Sequence, residues 1–134
     1  MNAVFIDSSF WIAFREVTEM RHAEADGIMA RAIDKKAQFV TTWSVVCEIH
    51  ANFSRDTKRR ELVLRDFWGN PLMTVEQPST QDLKNAIEIL RGNPDKTYPL
   101  CDALSFAVMR RLRIGRAASF DRHFKQFGEF EILT

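Results

Sequence analysis

The chain has 134 residues, with 19 lysines and arginines against 18 aspartates and glutamates, and therefore a formal net charge of +1. Hydrophobic residues make up 46% of the sequence, which excludes intrinsic disorder as the main state, and the near-neutral charge gives no general attraction to nucleic acid. No apolar run approaches the roughly 18 residues of a membrane helix, the first residues lack the basic region of a signal peptide, and two cysteines make no disulfide framework. We therefore expect a single domain over residues 1–134, located in the cytoplasm and not associated with a membrane.

The first half of the chain alternates short apolar runs with helix-spaced segments. Residues 3–6 predict a strand, followed by a short helix at 10–14 and an amphipathic helix over 19–36. Residues 38–42 predict a second strand. Ser44 then predicts the cap of a helix that reaches residue 53, and Thr57 predicts the cap of a helix that ends near residue 68.

The second half continues the alternation. Residues 72–75 predict a strand, and Ser79 with Asp82 has the spacing of a helix capping box. Residues 102–112 are apolar on most sides and predict a deeply buried helix, and residues 117–120 and 131–133 predict two further strands. This order predicts an α/β fold with a largely parallel sheet and helices on both faces.

Four acidic residues fall at the ends of these predicted elements. Asp7 and Asp121 each follow a strand directly, Asp102 begins the buried helix, and Glu48 lies inside the helix after the second strand. In a parallel sheet these positions can meet at one edge. Carboxylates that converge among apolar neighbours repel one another unless a cation compensates, and oxygen ligands favour Mg²⁺ or Mn²⁺. A cation held in this way can activate water for phosphodiester hydrolysis.

Each of these acids also has an ordinary structural explanation. Asp7 could cap the helix at 10–14, and Asp102 could be favoured by the dipole of its helix. Asp121 could form a turn, and Glu48 could be a paired surface acid. The coincidence of all four favours a metal site, but the spacing alone leaves both interpretations open.

Four segments resemble, in the same order, the motifs of PIN domains. They are FIDSSFWIAF around Asp7, TTWSVVCEI around Glu48, CDALSFAVMRRLRI around Asp102 and ASFDRHF around Asp121. This resemblance covers essentially the whole chain. It implies a three-layer α/β/α sandwich around a mostly parallel sheet of about five strands. It also implies a metal-dependent endoribonuclease similar to the VapC-type toxins of toxin–antitoxin pairs, which commonly form homodimers and are silenced by an antitoxin protein.

The resemblance also implies roles for individual residues. Asp7, Glu48, Asp102 and Asp121 are the implied catalytic residues and ligands of Mg²⁺ or Mn²⁺, with Ser9 and Ser119 in support. The implied substrate is RNA, and basic side chains dominate contacts with RNA phosphates. The candidates for such contacts are Arg110, Arg113, Arg116, Arg122 and His123, although packing or capping would also explain the histidine.

The same sequence has other interpretations. A PIN-fold module that binds RNA or protein without hydrolysis stays open, since fold does not fix function. A zinc site at Cys47 and Cys101 is rejected because oxygen sites for hard metals do not favour thiolates; both cysteines are expected to be buried packing residues. The three tryptophans are expected in core or dimer packing.

Overall fold

The computed structural model describes residues 2–134 and contains the predicted alternation of strands and helices. The strands are β1 (Ala3–Ile6), β2 (Gln38–Thr42), β3 (Met73–Glu76), β4 (Arg116–Ala118) and β5 (Glu131–Ile132). The helices are α1 (Ser8–Arg15), α2 (His22–Asp34), α3 (Trp43–Asn52), α4 (Thr57–Phe67), α5 (Thr80–Gly92), α6 (Leu100–Leu112) and α7 (Arg122–Phe127). Among residues 2–134, no helix is both long enough and apolar enough to cross a membrane.

The five strands form one sheet in the order β3-β2-β1-β4-β5, and every pair is parallel. β1 is central: Phe5 aligns with Val40 on one side and with Ala117 on the other. Because connections between parallel strands are right-handed, helices cover both faces of the sheet. The predicted α/β sandwich is confirmed, and the carboxyl ends of all strands lie along the same edge.

The core is centred on β1 and α6. All four residues of β1 are buried, as the continuous apolar run predicts for a central parallel strand. The Phe106 ring on α6 lies 4.9 Å from Phe124 and 4.2 Å from Phe127, measured between ring centroids. The prediction that the 102–112 segment is a buried helix is confirmed, and its aromatic contacts anchor α7 beside it.

Two predicted helix caps are wrong by one or two positions. Thr42 caps α3 by accepting a backbone N–H at 3.2 Å, so Ser44 lies inside the helix. Asp56 caps α4 in the same way at 3.1 Å, and Thr57 is the first helical residue. In both cases the earlier residue has the extended backbone that a cap requires. The capping box predicted at Ser79 is confirmed.

β4 ends at Ala118, two residues before the predicted end, and side chains then satisfy the backbone. Ser9 Oγ accepts the Phe120 N–H at 2.9 Å, and Ser119 Oγ accepts the Asp121 N–H at 3.0 Å. Asp121 therefore does not follow the strand directly. It is the N-cap of α7.

The two cysteines are not buried as expected, and two of the tryptophans divide between the core and the surface. Cys47 is exposed and Cys101 is half-buried, so neither is a core residue. Trp11 is buried and donates its Nε1–H to Asp66 at 2.9 Å. Trp68 is 73% exposed, because α4 ends just before it at the protein surface.

Candidate active site

The carboxyl ends of β1 and β4 meet the first turns of α6 and α7, and this meeting brings three acids together. The Asp7 N–H donates to the Ala118 carbonyl at 3.0 Å, which joins the ends of the two strands. Asp102 lies in the first turn of α6 and Asp121 caps α7. Ligand atoms of Asp102, Asp121 and His123 all lie within 4.8 Å of one another. The charge of Asp7 raises the pKa of Asp102, so Asp7 lies within electrostatic reach of this group.

Asp7 is almost completely buried, at 2% exposed. Its Oδ2 accepts hydrogen bonds from Ser9 Oγ at 2.6 Å and from Ser119 Oγ at 2.8 Å. Burial raises the pKa of Asp7, the two hydroxyls lower it, the Asp121 charge raises it, and the net shift is upward. Ser9 and Ser119 therefore stabilise the ionised form and fix the orientation of the carboxylate.

His123 connects the other two acids. Its Nδ1 lies 2.9 Å from Asp102 Oδ2 and 3.0 Å from Asp121 Oδ1. Burial, followed by the charges of Asp7 and Asp121, raises the pKa of Asp102 to about 7, although the His123 contact lowers it. For His123 we predicted a contact with phosphate, packing or capping, because nothing in the local sequence shows that its ring turns toward Asp102.

Glu48 lies at the margin of this group. It is on an exposed part of α3, and its Oε1 accepts the Cys101 S–H at 3.1 Å. Burial raises the pKa of the Cys101 thiol, and the charges of Glu48, Asp102 and Asp7 raise it further. Cys101 thus stays a thiol between Glu48 and the buried acids. The structure brings Asp7, Asp102 and Asp121 together and connects Glu48 to them through this sulfur.

The four carboxylates share a pattern in how their oxygens are used. Side chains bond to Asp7 Oδ2, Asp102 Oδ2 and Glu48 Oε1, and the His123 backbone N–H donates to Asp121 Oδ1. Within residues 2–134, no side chain donates a hydrogen bond to the second oxygen of any of the four. These carboxylate oxygens, together with the raised pKa values of Asp7 and Asp102, fit a divalent cation such as Mg²⁺ or Mn²⁺.

The ordinary structural explanations account for only part of this arrangement. Asp7 occupies the N-cap position of α1, but its side chain makes no capping hydrogen bond. Asp121 does cap α7 through its side chain. Asp102 gains from its place in the first turn of α6. In the described part of the chain Glu48 has no ion-pair partner. Capping and pairing therefore leave the burial of Asp7 and the position of Glu48 unexplained.

Three of the arginines considered for RNA contact lie away from the acids. Arg110 pairs with Glu129 at 2.8 Å. Arg113 follows α6 at its carboxyl end, roughly 16 Å along the helix axis from Asp102 at about 1.5 Å per residue. Arg116 begins β4, at the opposite edge of the sheet from the carboxyl ends. The sequence predicted RNA contacts for these three arginines, and the structure places them away from the acidic group.

A cleft of about 420 Å³ adjoins Asp121 and is lined by basic side chains. Arg122, a predicted contact, lines it together with Arg21 and Lys125. The Arg21 guanidinium lies 3.9 Å from the centroid of the Phe120 ring. Arg21 gave no signal in the sequence, because only the tertiary structure brings the start of α2 beside the end of β4.

The chain is similar to known proteins over nearly its full length. The profile of the PIN domain family matches residues 4–129. The 23S rRNA-specific endonuclease VapC20 of Mycobacterium tuberculosis is 30% identical over 130 residues, which cover 96% of this chain and 97% of that protein.

Solved structures show the same fold. The crystal structure of M. tuberculosis VapC20, described as a sarcin-ricin loop cleaving toxin, has a TM-score of 0.85 at 28% identity and covers 98% of this chain and 99% of its own. VapBC2 from Rickettsia felis, bound to a promoter DNA fragment, has a TM-score of 0.71 at 10% identity, covering 97% and 96%. A toxin–antitoxin complex from Klebsiella pneumoniae has a TM-score of 0.67 at 14% identity, covering 98% and 96%. The last two likenesses concern the fold alone.

Proposed function

This chain belongs to the PIN domain family, as a VapC-type toxin endoribonuclease, and we propose that it hydrolyses ribosomal RNA with the help of a divalent cation. The observation that carries the proposal is the convergence of Asp7, Asp102 and Asp121, with Glu48 at their margin. The similar protein VapC20 is by name an endonuclease of 23S rRNA, and we extend that class of substrate to this chain.

We propose that Mg²⁺ or Mn²⁺ is held by the carboxylates of Asp7, Glu48, Asp102 and Asp121. A bound divalent cation supplies Lewis acidity, which promotes loss of a proton from water and neutralises charge on the attacked phosphodiester. The raised pKa values of Asp7 and Asp102 support this assignment, since a cation offsets both burial and mutual repulsion. Ser9 and Ser119 contribute by holding one oxygen of Asp7 and leaving the other free.

We propose that the RNA backbone follows the cleft beside Asp121. Arg122 and Lys125 line this cleft, and basic side chains supply most of the affinity for phosphates. Arg21 lines it too but is paired with both oxygens of Glu24, as Arg110 is with Glu129. Arg122 is therefore retained as an RNA contact, whereas the positions of Arg110 and Arg116 favour structural roles.

Exposed apolar side chains support a protein partner. Leu64, Trp68 and Leu72 are 44%, 73% and 72% exposed, and the Trp68 ring lies 5.7 Å from that of Trp43. Apolar surface of this kind is typical of interaction sites. We propose a cognate antitoxin and a homodimer as the partners, with residues 1–134 acting as one domain. A ribosomal RNA substrate implies that the protein acts in the cytoplasm.

Cleavage of purified 23S rRNA tests the proposal. Wild-type protein is expected to cut with Mg²⁺ or Mn²⁺ and to stop when a chelator is added. Asp7→Asn is expected to be inactive, and Asp34→Asn, at an exposed position on α2, serves as the matched control. Cleavage by Asp7→Asn at the wild-type rate would point to a contaminating nuclease or a different site.

Calorimetric titration separates this proposal from a PIN-fold module that binds without hydrolysis. All four acids are present, and none is neutralised by lysine or arginine in residues 2–134. Metal binding at millimolar concentrations is therefore expected, and its absence would favour the silent module.

A further inference from the structure

The surroundings of the His123 ring assign the proton on its Nδ1. Both atoms close to Nδ1 are carboxylate oxygens, Asp102 Oδ2 at 2.9 Å and Asp121 Oδ1 at 3.0 Å. When both carboxylates are ionised, as binding of a cation requires, they only accept hydrogen bonds, so Nδ1 is the donor. Nε2 is buried and has no hydrogen-bond partner in the described part of the chain. The polar contacts of the ring are thus all directed at these two acids.

Packing holds the ring in this orientation. The His123 side chain is 13% exposed and meets the Tyr98 ring edge-on, with 5.7 Å between centroids. Tyr98 is itself buried and packs edge-on against Phe106 at 5.5 Å. The backbone N–H of His123 also donates to Asp121 Oδ1, at 2.9 Å. A ring flip would leave Asp102 without the Nδ1 contact, so the observed orientation is the one that these contacts favour.

His123 contacts one oxygen of each carboxylate, through Nδ1 on Asp102 and through its backbone N–H, with Nδ1 nearby, on Asp121. Asp102 uses Oδ2 and Asp121 uses Oδ1, which leaves Asp102 Oδ1 and Asp121 Oδ2 without a side-chain donor. We propose that His123 is a positioning residue for the divalent cation, orienting Asp102 and Asp121 without binding the ion itself. This inference rests on the function proposed above and adds a residue outside the four acids.

Two other roles fit the geometry less well. A contact with RNA phosphate requires an accessible donor, whereas Nε2 is buried and Nδ1 is engaged. Direct ligation through Nδ1 requires a free lone pair on that nitrogen, and its two carboxylate neighbours instead favour the protonated nitrogen. Partners that orient metal ligands in this indirect way typically change metal affinity by about 10–100-fold.

Two substitutions of similar polarity test whether a hydrogen-bond donor at the Nδ1 position matters, or only the packing of the side chain. Asparagine places its amide nitrogen near the position of Nδ1, whereas glutamine places it nearer to Nε2. The comparison is therefore His123→Asn against His123→Gln, with His50→Asn as the control. His50 is half-buried on α3, and its side chain makes no hydrogen bond within residues 2–134.

Calorimetric titration of the chelator-treated full chain with Mg²⁺ and Co²⁺ provides the test, and thermal melts confirm that each variant folds. His123→Gln is expected to lose about 10–100-fold in affinity for both ions by the same factor. His123→Asn is expected to keep most of the affinity, and His50→Asn all of it.

Three outcomes would overturn the inference. Unchanged affinity in His123→Gln would mean that the ring only packs. A loss restricted to Co²⁺ would mean that nitrogen ligates the ion, since Co²⁺ prefers imidazole more than Mg²⁺ does. Equal losses in both His123 variants would mean that the Nδ1 donor is not what matters. If the wild type bound neither ion, the proposed function itself would fail, and this inference with it.

Discussion

Buried aspartates in this protein have two kinds of surroundings. Asp82 is 0% exposed, yet Arg111 donates to both of its oxygens at 2.9 Å. Burial raises the pKa of Asp82, but the Arg111 and Ser79 hydrogen bonds outweigh this and the net pKa is lowered. Asp7 and Asp102 are 2% and 5% exposed and have raised pKa values. No lysine or arginine in residues 2–134 pairs with either.

This difference separates an acid that holds the fold together from acids for which we propose a cation as the partner. A structural carboxylate receives its counter-charge from the same chain, so burial and attraction are balanced once the protein folds. The acids at the carboxyl edge of the sheet are buried without that balance. The protein therefore tolerates an electrostatic cost there, which protonation or a bound cation would remove.

Breaking the structural pair should have the largest effect on stability. Arg111→Met leaves Asp82 buried without its partner and is expected to lower the free energy of unfolding by about 3 kcal/mol. Arg65→Met, at an exposed pair with Glu61 of 3.4 Å, is the matched control and should change it by less than about 1 kcal/mol. Urea unfolding monitored by circular dichroism measures both. Equal, small losses would show that Asp82 does not depend on the guanidinium.

Adding a divalent cation should stabilise the acids that have no partner within the chain, in contrast to Asp82. Ligand binding to the native state alone stabilises by about 2.7 kcal/mol at 100 times the dissociation constant. The melting temperature of the wild type should therefore rise steadily with Mg²⁺ or Mn²⁺, and that of Asp7→Asn should rise much less. Asp34→Asn should behave as the wild type. An equal rise in Asp7→Asn would locate the binding site elsewhere.

The pH dependence of stability in the metal-free protein should show how unfavourable it is to ionise the buried Asp102 carboxyl. The pKa of Asp102 is raised to about 7 in the folded state, so the native protein binds more protons than the unfolded chain between about pH 4 and pH 7. Its contribution to stability is thus present at low pH and is lost as the pH rises through this range. The loss should be on the order of 2 kcal/mol, allowing for partial solvent screening.

Melts in chelator from pH 4 to pH 7 measure this loss, with Asp102→Asn as the comparison. The variant should show a flatter dependence on pH than the wild type. Parallel curves for the two proteins would mean that Asp102 does not carry the shift.

The smallest expected effect concerns the cleft beside the acids. Arg122→Ala and Lys125→Ala, each made in the inactive Asp7→Asn background, should weaken RNA binding a few-fold. Each should also reduce the slope of log affinity against log salt by about 0.7 per lost phosphate contact, as for single-stranded nucleic acid. Arg113→Ala, at the far end of α6, should change neither quantity. Filter binding at several salt concentrations distinguishes the cleft residues from Arg113.

The sequence predicted well what depends on local pattern. β2 was predicted with its observed bounds, and β1 likewise, because a short apolar run between polar residues has few other structures available. The positions of Asp7, Glu48 and Asp102 relative to the elements followed from the same patterns, whereas Asp121 caps α7 instead of following β4 directly. The early end of β4 could not be predicted, since it depends on the hydroxyl of Ser9 from another part of the chain.

Side-chain direction was the other gap. Arg110 was a predicted RNA contact. It lies in the last turn of α6, at the opposite end of the helix from Asp102, and it pairs with Glu129. His123 turned out to face Asp102 rather than solvent, a contact between residues 21 positions apart that no local pattern encodes. Contacts of this kind require knowing how helices are oriented on the sheet, and periodicity does not specify that.

The hydrogen bonds of the two serine hydroxyls have a consequence for the order of folding. Ser119 and Asp7, which share a hydrogen bond, are 112 positions apart in the chain. Closing a loop of this length costs chain entropy before the contact stabilises anything, so β1 and β4 must pair before the acidic group can form. The group is therefore expected to assemble late in folding and to be lost as soon as the pairing of β1 with β4 opens.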